Sequence, residues 1–338
     1  MLWLQEAAPI MTSSRFAGCL VGLACGDALG GPAEEIPGHP STAVKPVTEM
    51  IGGGTFGLLE GQITDDTEMA LCLVRSLLEK QGFDPADIAH KFQEWFFDSP
   101  IGAGGTVRAA MKRLRDGYSW QEAGRSELGL KSLGNGSVMR CAPIAMFDCY
   151  ADKSVLLQHT QIQGMITHPR EECIHAANFI NVIISYLLKA KSPSIKPLTE
   201  AQELLKTAGL YTLNSPRAAY AYALTHIPLD MQEKYKDIHK VEKITPFGTV
   251  HHTVIASVNC LLTTTSFEEA IIKAVNLGGD ADTIAAITGA MAGAWYGIEA
   301  IPTRWSSKLM DRHGQPVLEE LLISAEKLYY LALLPILS

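Results

Sequence analysis

A chain of 338 residues that is 47% apolar and 19% charged can bury a large core, in two domains or one large one. Its formal charge of −8 is scattered, with no basic stripe, which argues against nucleic acid as a partner. Seven dispersed cysteines (Cys19, Cys25, Cys72, Cys141, Cys149, Cys173, Cys260) include no C-x-x-C pair, so they read as reduced core thiols rather than a zinc or iron–sulfur site.

No Gly/Ser or Pro linker, charge block or low-complexity tract divides the chain. Met1 to Met11 is apolar but carries Glu6 and no basic flank, unlike a secretory signal. The uncharged run Phe16 to Gly26 is shorter than the ~20 apolar residues a bilayer requires. A soluble, cytoplasmic protein without a membrane segment is expected.

The first predicted helix, Phe16 to Gly30, carries Gly18, Gly22, Gly26 and Gly30 at a spacing of four. Each interior helix glycine costs roughly 0.5–1 kcal/mol against alanine, so the stripe calls for close approach by another helix. Asp27 lies near its end, and Gly30-Gly31-Pro32 stops it. Glu34 follows in the exit loop, either as a solvated carboxylate or as part of a site.

Residues 37–63 read as an irregular loop with a short hairpin. Thr64-Asp65-Asp66-Thr67-Glu68 then opens a helical run to Lys80. Asp65 and Glu68 match a capping box. A cap needs one carboxylate, whereas Thr64, Asp65 and Asp66 offer three oxygen-bearing side chains, as a hard cation requires. A helix over 85–97 precedes Ile101-Gly102-Ala103-Gly104-Gly105-Thr106 and the helical VRAAMKRLR. A glycine-rich loop opening a helix suits a phosphate, and equally suits an ordinary helix start. It is neither a Walker A nor a dinucleotide fingerprint.

Gly134-Asn135-Gly136-Ser137-Val138-Met139-Arg140 allows a sharp turn, with Ser137 available to cap the apolar segment behind it. Arg140 in that apolar setting needs a partner, an ion pair or a phosphate. A helix over about 153–166 leads to Thr167-His168-Pro169, where proline keeps His168 out of helical geometry. A long apolar helix over 171–190 and a polar segment over 191–245 follow. His251 and His252 are adjacent on a helix, point about 100° apart, and make poor joint metal ligands.

The helix Phe267 to Val275 leads into Gly278-Gly279-Asp280-Ala281-Asp282-Thr283, two carboxylates and a hydroxyl within four residues. The run beyond carries a second small-residue stripe, Gly289, Gly293 and Gly297. If the two stripes pack antiparallel, Asp27 and Glu34 approach Asp280 and Asp282. No strand alternation or βαβ rhythm is present, so the expected fold is all-α.

The oxygen donors Glu34, Thr64, Asp65, Asp66, Asp280, Asp282 and Thr283 favour Mg²⁺ or Mn²⁺ over zinc. Five carboxylates suit two ions about 3.5–4 Å apart better than one.

Taken together, Gly26-Asp27-Ala28-Leu29-Gly30, Glu34, Thr64-Asp65-Asp66-Thr67, the turn Gly134 to Arg140, Thr167-His168-Pro169 and Gly278 to Thr283 resemble the ADP-ribosylglycohydrolase family, which includes the dinitrogenase reductase-activating glycohydrolase. The resemblance runs from about Phe16 to Gly297. It implies one compact multi-helix domain, over residues 12–338, with a binuclear metal centre in a central cleft. It implies two Mg²⁺ or Mn²⁺ ions held by Thr64, Asp65, Asp66, Asp280, Asp282 and Thr283. Glu34, Asp65 and Asp66 would serve catalysis, with base work by Glu34 or by a water under Asp65/Asp66 control. Gly102, Gly104, Gly105, Thr106, Asn135, Gly136, Ser137, Met139, Arg140 and His168 would line the cleft for the distal ribose and diphosphate, and the region of Gly248 another wall.

The implied reaction is hydrolysis of the bond between ADP-ribose and a protein side chain, arginine or serine, by a monomer. Small ADP-ribose conjugates are an alternative substrate. A silent ADP-ribose-binding member of the same fold and an all-α metal-dependent phosphohydrolase are the competing readings.

Overall fold

Helices carry nearly all the regular structure of the computed structural model, which describes residues 8–35, 46–190 and 215–337. They are α1 (Ala8–Gly30), α2 (Asp65–Lys80), α3 (Pro85–Phe97), α4 (Gly105–Arg115), α5 (Trp120–Ala123), α6 (Glu127–Lys131), α7 (Gly136–Met139), α8 (Ala142–Phe147), α9 (Lys153–Met165) and α10 (Glu171–Lys189). The second half adds α11 (Pro216–Leu224), α12 (Leu229–Tyr235), α13 (Val250–Leu262), α14 (Phe267–Val275), α15 (Ala281–Tyr296), α16 (Thr303–Ser306) and α17 (Leu318–Leu337). Among the described residues β-structure is limited to isolated bridges. One joins Gly53 and Leu58 by a reciprocal pair of backbone hydrogen bonds, a tight reversal within the expected loop. Residues 36–45 of that loop, and residues 191–214 of the polar segment expected over 191–245, lie outside the described residues.

Helix ends follow local chemistry. Asp84 accepts from the amides of Ala86 and Asp87, and Pro85 supplies a first-turn residue with no amide to satisfy. Ser266 accepts from the amide of Glu269 to start α14. These two helices have the boundaries the sequence predicts.

The centre of the fold is the antiparallel pair of α1 and α15. Gly18 faces Gly293 and Gly297, Gly22 faces Gly289, and Gly26 faces Ala285. A methyl group on Gly18 would lie 2.7 Å from the carbonyl carbon of Gly297, and one on Gly30 would lie 2.5 Å from Asp282 Cα. The glycine stripes therefore let two backbones touch where any side chain would separate them. What α1 loses in helix propensity is offset by the contact this close approach permits.

Between Ser13 and Ala33 the chain is long and apolar enough to cross a membrane, a longer stretch than the uncharged run in the sequence suggests. In this fold 94% of that window is buried, and Phe16, Leu20, Leu23 and Leu29 are fully enclosed. It is the core helix, and each such side chain contributes about 1.5–3 kcal/mol by leaving water. Phe16 meets Tyr329 of α17 edge-on at 5.3 Å. All seven cysteines are buried and free, as their apolar neighbours suggest.

The antiparallel packing has one consequence for chemistry. It sets the C-terminal end of α1, with Asp27 and the following Glu34, beside the N-terminal end of α15, with Asp280 and Asp282.

Candidate metal centre and cleft

Asp27 organises the floor of the site. It is fully buried and accepts four hydrogen bonds: from the amide (3.0 Å) and hydroxyl (2.7 Å) of Thr64, and from the amide (3.1 Å) and hydroxyl (2.5 Å) of Thr67. These amides are free donors at the start of α2, so a carboxylate from α1 caps α2 across the fold. The capping box expected of Asp65 and Glu68 does not form. The N-cap is Thr64 without a side-chain cap, and Glu68 turns away to accept from Trp95 Nε1 (2.7 Å) and Arg312 (2.8 Å). Asp27 satisfies the amides first, which leaves Asp65 and Asp66 for another task. The sequence shows Asp27 only as an acidic residue at the end of an apolar glycine-striped helix. That mismatch was the signal available.

Glu34 follows a single 3₁₀ turn over Gly31–Ala33. The amide of Glu35 donates to Gly279 O at 2.7 Å, which pins this segment against the turn before α15. Gly278 and Gly279 hold φ of +73° and +62°, values that favour glycine. A Cβ on Gly279 would also meet Pro246, whose carbonyl accepts from the amide of Asp280. This turn aims Asp280 inward. Oxygens of Glu34, Asp280 and Asp282 lie within 4.8 Å of one another. Asn135 Nδ2 donates to Asp280 Oδ2 and is itself braced on Thr253 Oγ1 at 2.9 Å. Thr283, in the first turn of α15, lies close enough to both Asp66 and Asp280 to ease the upward shift of each, which brings α2 against α15.

So much uncompensated acid raises every carboxylate here. Burial and the charge of Asp280 push Glu34 up to about 8. Burial pushes Asp280 up to about 6. Asp65, Asp66 and Asp282 are held well above the usual range by burial and by their acidic neighbours. Asp66 Oδ1 and Glu34 Oε2 are buried with no hydrogen-bond partner. Buried acceptors without donors are costly, and a bound cation could satisfy them. The oxygen-only donor set suits Mg²⁺ or Mn²⁺. The hydroxyl of Thr64 spends its proton on Asp27, so its lone pairs remain available.

Several loops expected to line a cleft stand beside this floor. Gly102, at φ +91°, lies directly on Asp65 Oδ1, where a side chain would collide with the carboxylate. Gly104 and Gly105 open α4 with free space above Gly104. Thr106 donates to Ser132 Oγ (2.9 Å), which accepts from the amide of Gly134 (3.0 Å). The glycine loop is thus laced to the turn at 134–136. His168 Nε2 lies against that turn, 3.2 Å and 3.3 Å from where Cβ atoms would sit on Gly134 and Gly136. Gly248 flanks Asp280, as a further wall would.

Three further residues expected at the cleft are deeply buried. Ser137 and Met139 are buried on α7, and Ser137 caps nothing: Asn135 holds the N-cap position and Ser137 Oγ has no partner. Arg140 is fully buried, within electrostatic reach of Asp65 but hydrogen-bonded to neutral groups. Its guanidinium donates to Gln163 and Thr167 and lies 4.5 Å from the ring centre of Phe92. A one-turn helix such as α7 presents few residues outward, and the apolar run behind it draws the rest into the core. His251 and His252 part company as their spacing requires, to Tyr235 and Thr249 respectively.

Residues 8–332 match the family model described as ADP-ribosylglycohydrolase. The chain is 33% identical to ADP-ribosylarginine hydrolase Tri1 of Serratia proteamaculans, covering 98% of this chain and 84% of that one. It is 32% identical to the ADP-ribosyl-[dinitrogen reductase] glycohydrolase of Rhodospirillum rubrum, over 87% and 90%. It is 29% identical to ADP-ribosylhydrolase ARH3 of Mus musculus, over 86% of each. A solved structure titled ADP-ribosylglycohydrolase-related protein complex superposes with a TM-score of 0.74 at 30% identity, covering 96% of this chain and 99% of that one.

Proposed function

The chain belongs to the ADP-ribosylglycohydrolase family, and on that premise we propose that it is a divalent-metal-dependent hydrolase releasing ADP-ribose from a modified protein side chain. The observation that carries the metal dependence is the convergence of Asp65 and Asp66 with Asp280 and Asp282, more than two hundred residues away, on unmatched buried oxygens. Arginine is the preferred linkage, with serine second, because the Serratia relative is by name an ADP-ribosylarginine hydrolase. Every expected acidic position is present in the sequence, which counts against a silent binding member.

Thr64, Asp65, Asp66, Asp280, Asp282 and Thr283 would hold two Mg²⁺ or Mn²⁺ ions. When bound, the ions supply Lewis-acid polarisation of the ribose hydroxyls and a lowered pKa for water. Hydrolysis breaks the bond from C1″ to the guanidine nitrogen, places the water oxygen on C1″, and returns a proton to nitrogen. Glu34 stands at the floor's edge with a free oxygen and a carboxyl poised near neutrality, suited to hold or pass that proton. The surrounding carboxylates stabilise positive charge as it develops on the ribose ring. Asp27 and Asn135 orient the ligands, and the Gly102 loop and the 134–136 turn admit the nucleotide portion.

The test is incubation with proteins ADP-ribosylated on arginine and, separately, on serine, with and without chelator. Release of free ADP-ribose that chelator abolishes, faster from arginine, is expected. Asp280→Ala should abolish release, and full activity in that variant would refute the metal assignment. Binding without turnover would support a silent member, and release of phosphate a phosphohydrolase.

A further inference from the structure

We propose that Arg140 and Thr167 form a relay that locks His168 in the neutral tautomer with its proton on Nε2, so that this nitrogen is a permanent donor to an oxygen of the bound ADP-ribose. The ligand's identity rests on the function proposed above; the tautomer rests on geometry alone.

A guanidinium can only donate. Arg140 Nη2 donates to Thr167 Oγ1 at 2.8 Å, so that oxygen accepts and must direct its own proton elsewhere. Its other contact is His168 Nδ1, at 2.8 Å. The threonine proton therefore points at Nδ1, which must offer a lone pair. A neutral imidazole with a lone pair on Nδ1 carries its proton on Nε2. A proton on Nδ1 would leave the threonine hydroxyl without an acceptor in a fully buried position.

The rest of the surroundings agrees. Thr167 is 0% and His168 2% exposed. Arg140 is fixed from behind by Gln163, whose side-chain oxygen accepts from Nε (3.1 Å) and whose backbone oxygen accepts from Nη2 (3.0 Å). Gln163 is held in turn by donating to Ser137 O at 2.9 Å. Burial and the Arg140 charge also keep the imidazole neutral. His168 Nε2 has no protein partner among the described residues. It lies against the two glycines, Gly134 and Gly136, where a side chain would obstruct its approach. Hydrogen bonds in series polarise one another, so the buried cation strengthens the donor at the far end. Arg140 thereby serves an anionic ligand that it never touches, and it and Thr167 are positioning residues.

Nitrogen-15 NMR of histidine-labelled full-length protein at neutral pH reads the tautomer directly, with His168 assigned by the loss of its signals in His168→Gln. The proton is expected on Nε2 in the wild type and in Thr167→Ser. Thr167→Val, which keeps the shape and removes the hydroxyl, should give a mixture of tautomers. Calorimetry with ADP-ribose should show affinity in Thr167→Val weakened by the factor by which the Nε2-protonated fraction falls, about twofold for an even mixture, and near wild type in Thr167→Ser. A proton on Nδ1 in the wild type, or an unchanged tautomer in Thr167→Val, overturns the relay. Unchanged ADP-ribose affinity in Thr167→Val overturns the donor role. Because the spectrum needs no turnover, an inactive protein with the expected tautomer would sink the glycohydrolase reading and leave the relay standing.

Discussion

The carboxylate of Asp27, at the end of α1, holds both the backbone amide and the hydroxyl of Thr64, at the start of α2. One buried side chain thus sets the direction in which the Asp65-Asp66 pair leaves the core. Asp27→Asn keeps the volume but places an amide group among the donors of Thr64 and Thr67. Leaving one or two buried donors unmatched costs about 1–3 kcal/mol each. Urea unfolding should show a loss in that range, and turnover should fall at least tenfold because the ligands lose their aim. Wild-type turnover in a folded Asp27→Asn protein would show that the cap is not needed for the site.

The stripe contact separates stability from geometry. Gly293→Ala would force α15 off α1 at the end far from the carboxylates, where Gly18 O lies in the way. Gly30→Ala would push on Asp282 itself. Overpacking of this kind costs typically 1–3 kcal/mol. Both variants should melt earlier, but only Gly30→Ala should lower the specific activity of the folded fraction. Equal activity losses would mean that the site senses the whole helix pair.

Metal and pH should be linked through the carboxylates. Glu34 is raised to about 8 and Asp280 to about 6, above their ordinary values. The metal-free folded state then holds protons that the unfolded chain releases, so its stability is full at low pH and falls as pH rises through this window. Bound cations replace those protons. The melting temperature of chelated protein should drop between about pH 5 and 8, and the gain on adding Mg²⁺ or Mn²⁺ should grow over the same range. A gain that shrinks with rising pH would contradict the cation site.

Arg312 joins the first turn of α2 to the loop beneath Gly102. It pairs with Glu68 at 2.8 Å and with Asp98 at 2.5 Å, beside a cavity of about 430 Å³ that also includes Trp95. Removing Arg312 strands the buried Glu68 charge, and because Arg312 itself is only partly buried the cost should be about 1–3 kcal/mol. Arg312→Leu alone should therefore destabilise more than Arg312→Leu combined with Glu68→Leu, measured by urea unfolding. Additive losses would show that the pair is uncoupled.

Patterns confined to short stretches were legible without coordinates. The stripes at Gly18 to Gly30 and Gly289 to Gly297 predicted a close helix pair, which would gather the acidic ends if it ran antiparallel, and the helices over 85–97 and Phe267 to Val275 were expected where they lie. The clusters at Thr64 to Thr67 and Gly278 to Thr283 marked oxygen donors. Each is a relation between near neighbours in sequence, governed by helical period, turn conformation and the chemistry of adjacent side chains. The capping of α2 was not legible, since Asp65 and Glu68 fit a local box and the true acceptor lies thirty-seven residues away. Nor were the partners of Arg140, whose charge is solvated by Gln163, Thr167 and the face of Phe92.

Which side chains could serve the site was determined by the sequence itself, through glycine, acid and hydroxyl at fixed spacing. Which of them face the cleft and which turn to the core was decided by tertiary packing. A buried donor or charge takes the nearest partner in space, and nearness in space exists only once α1, α2 and α15 have come together.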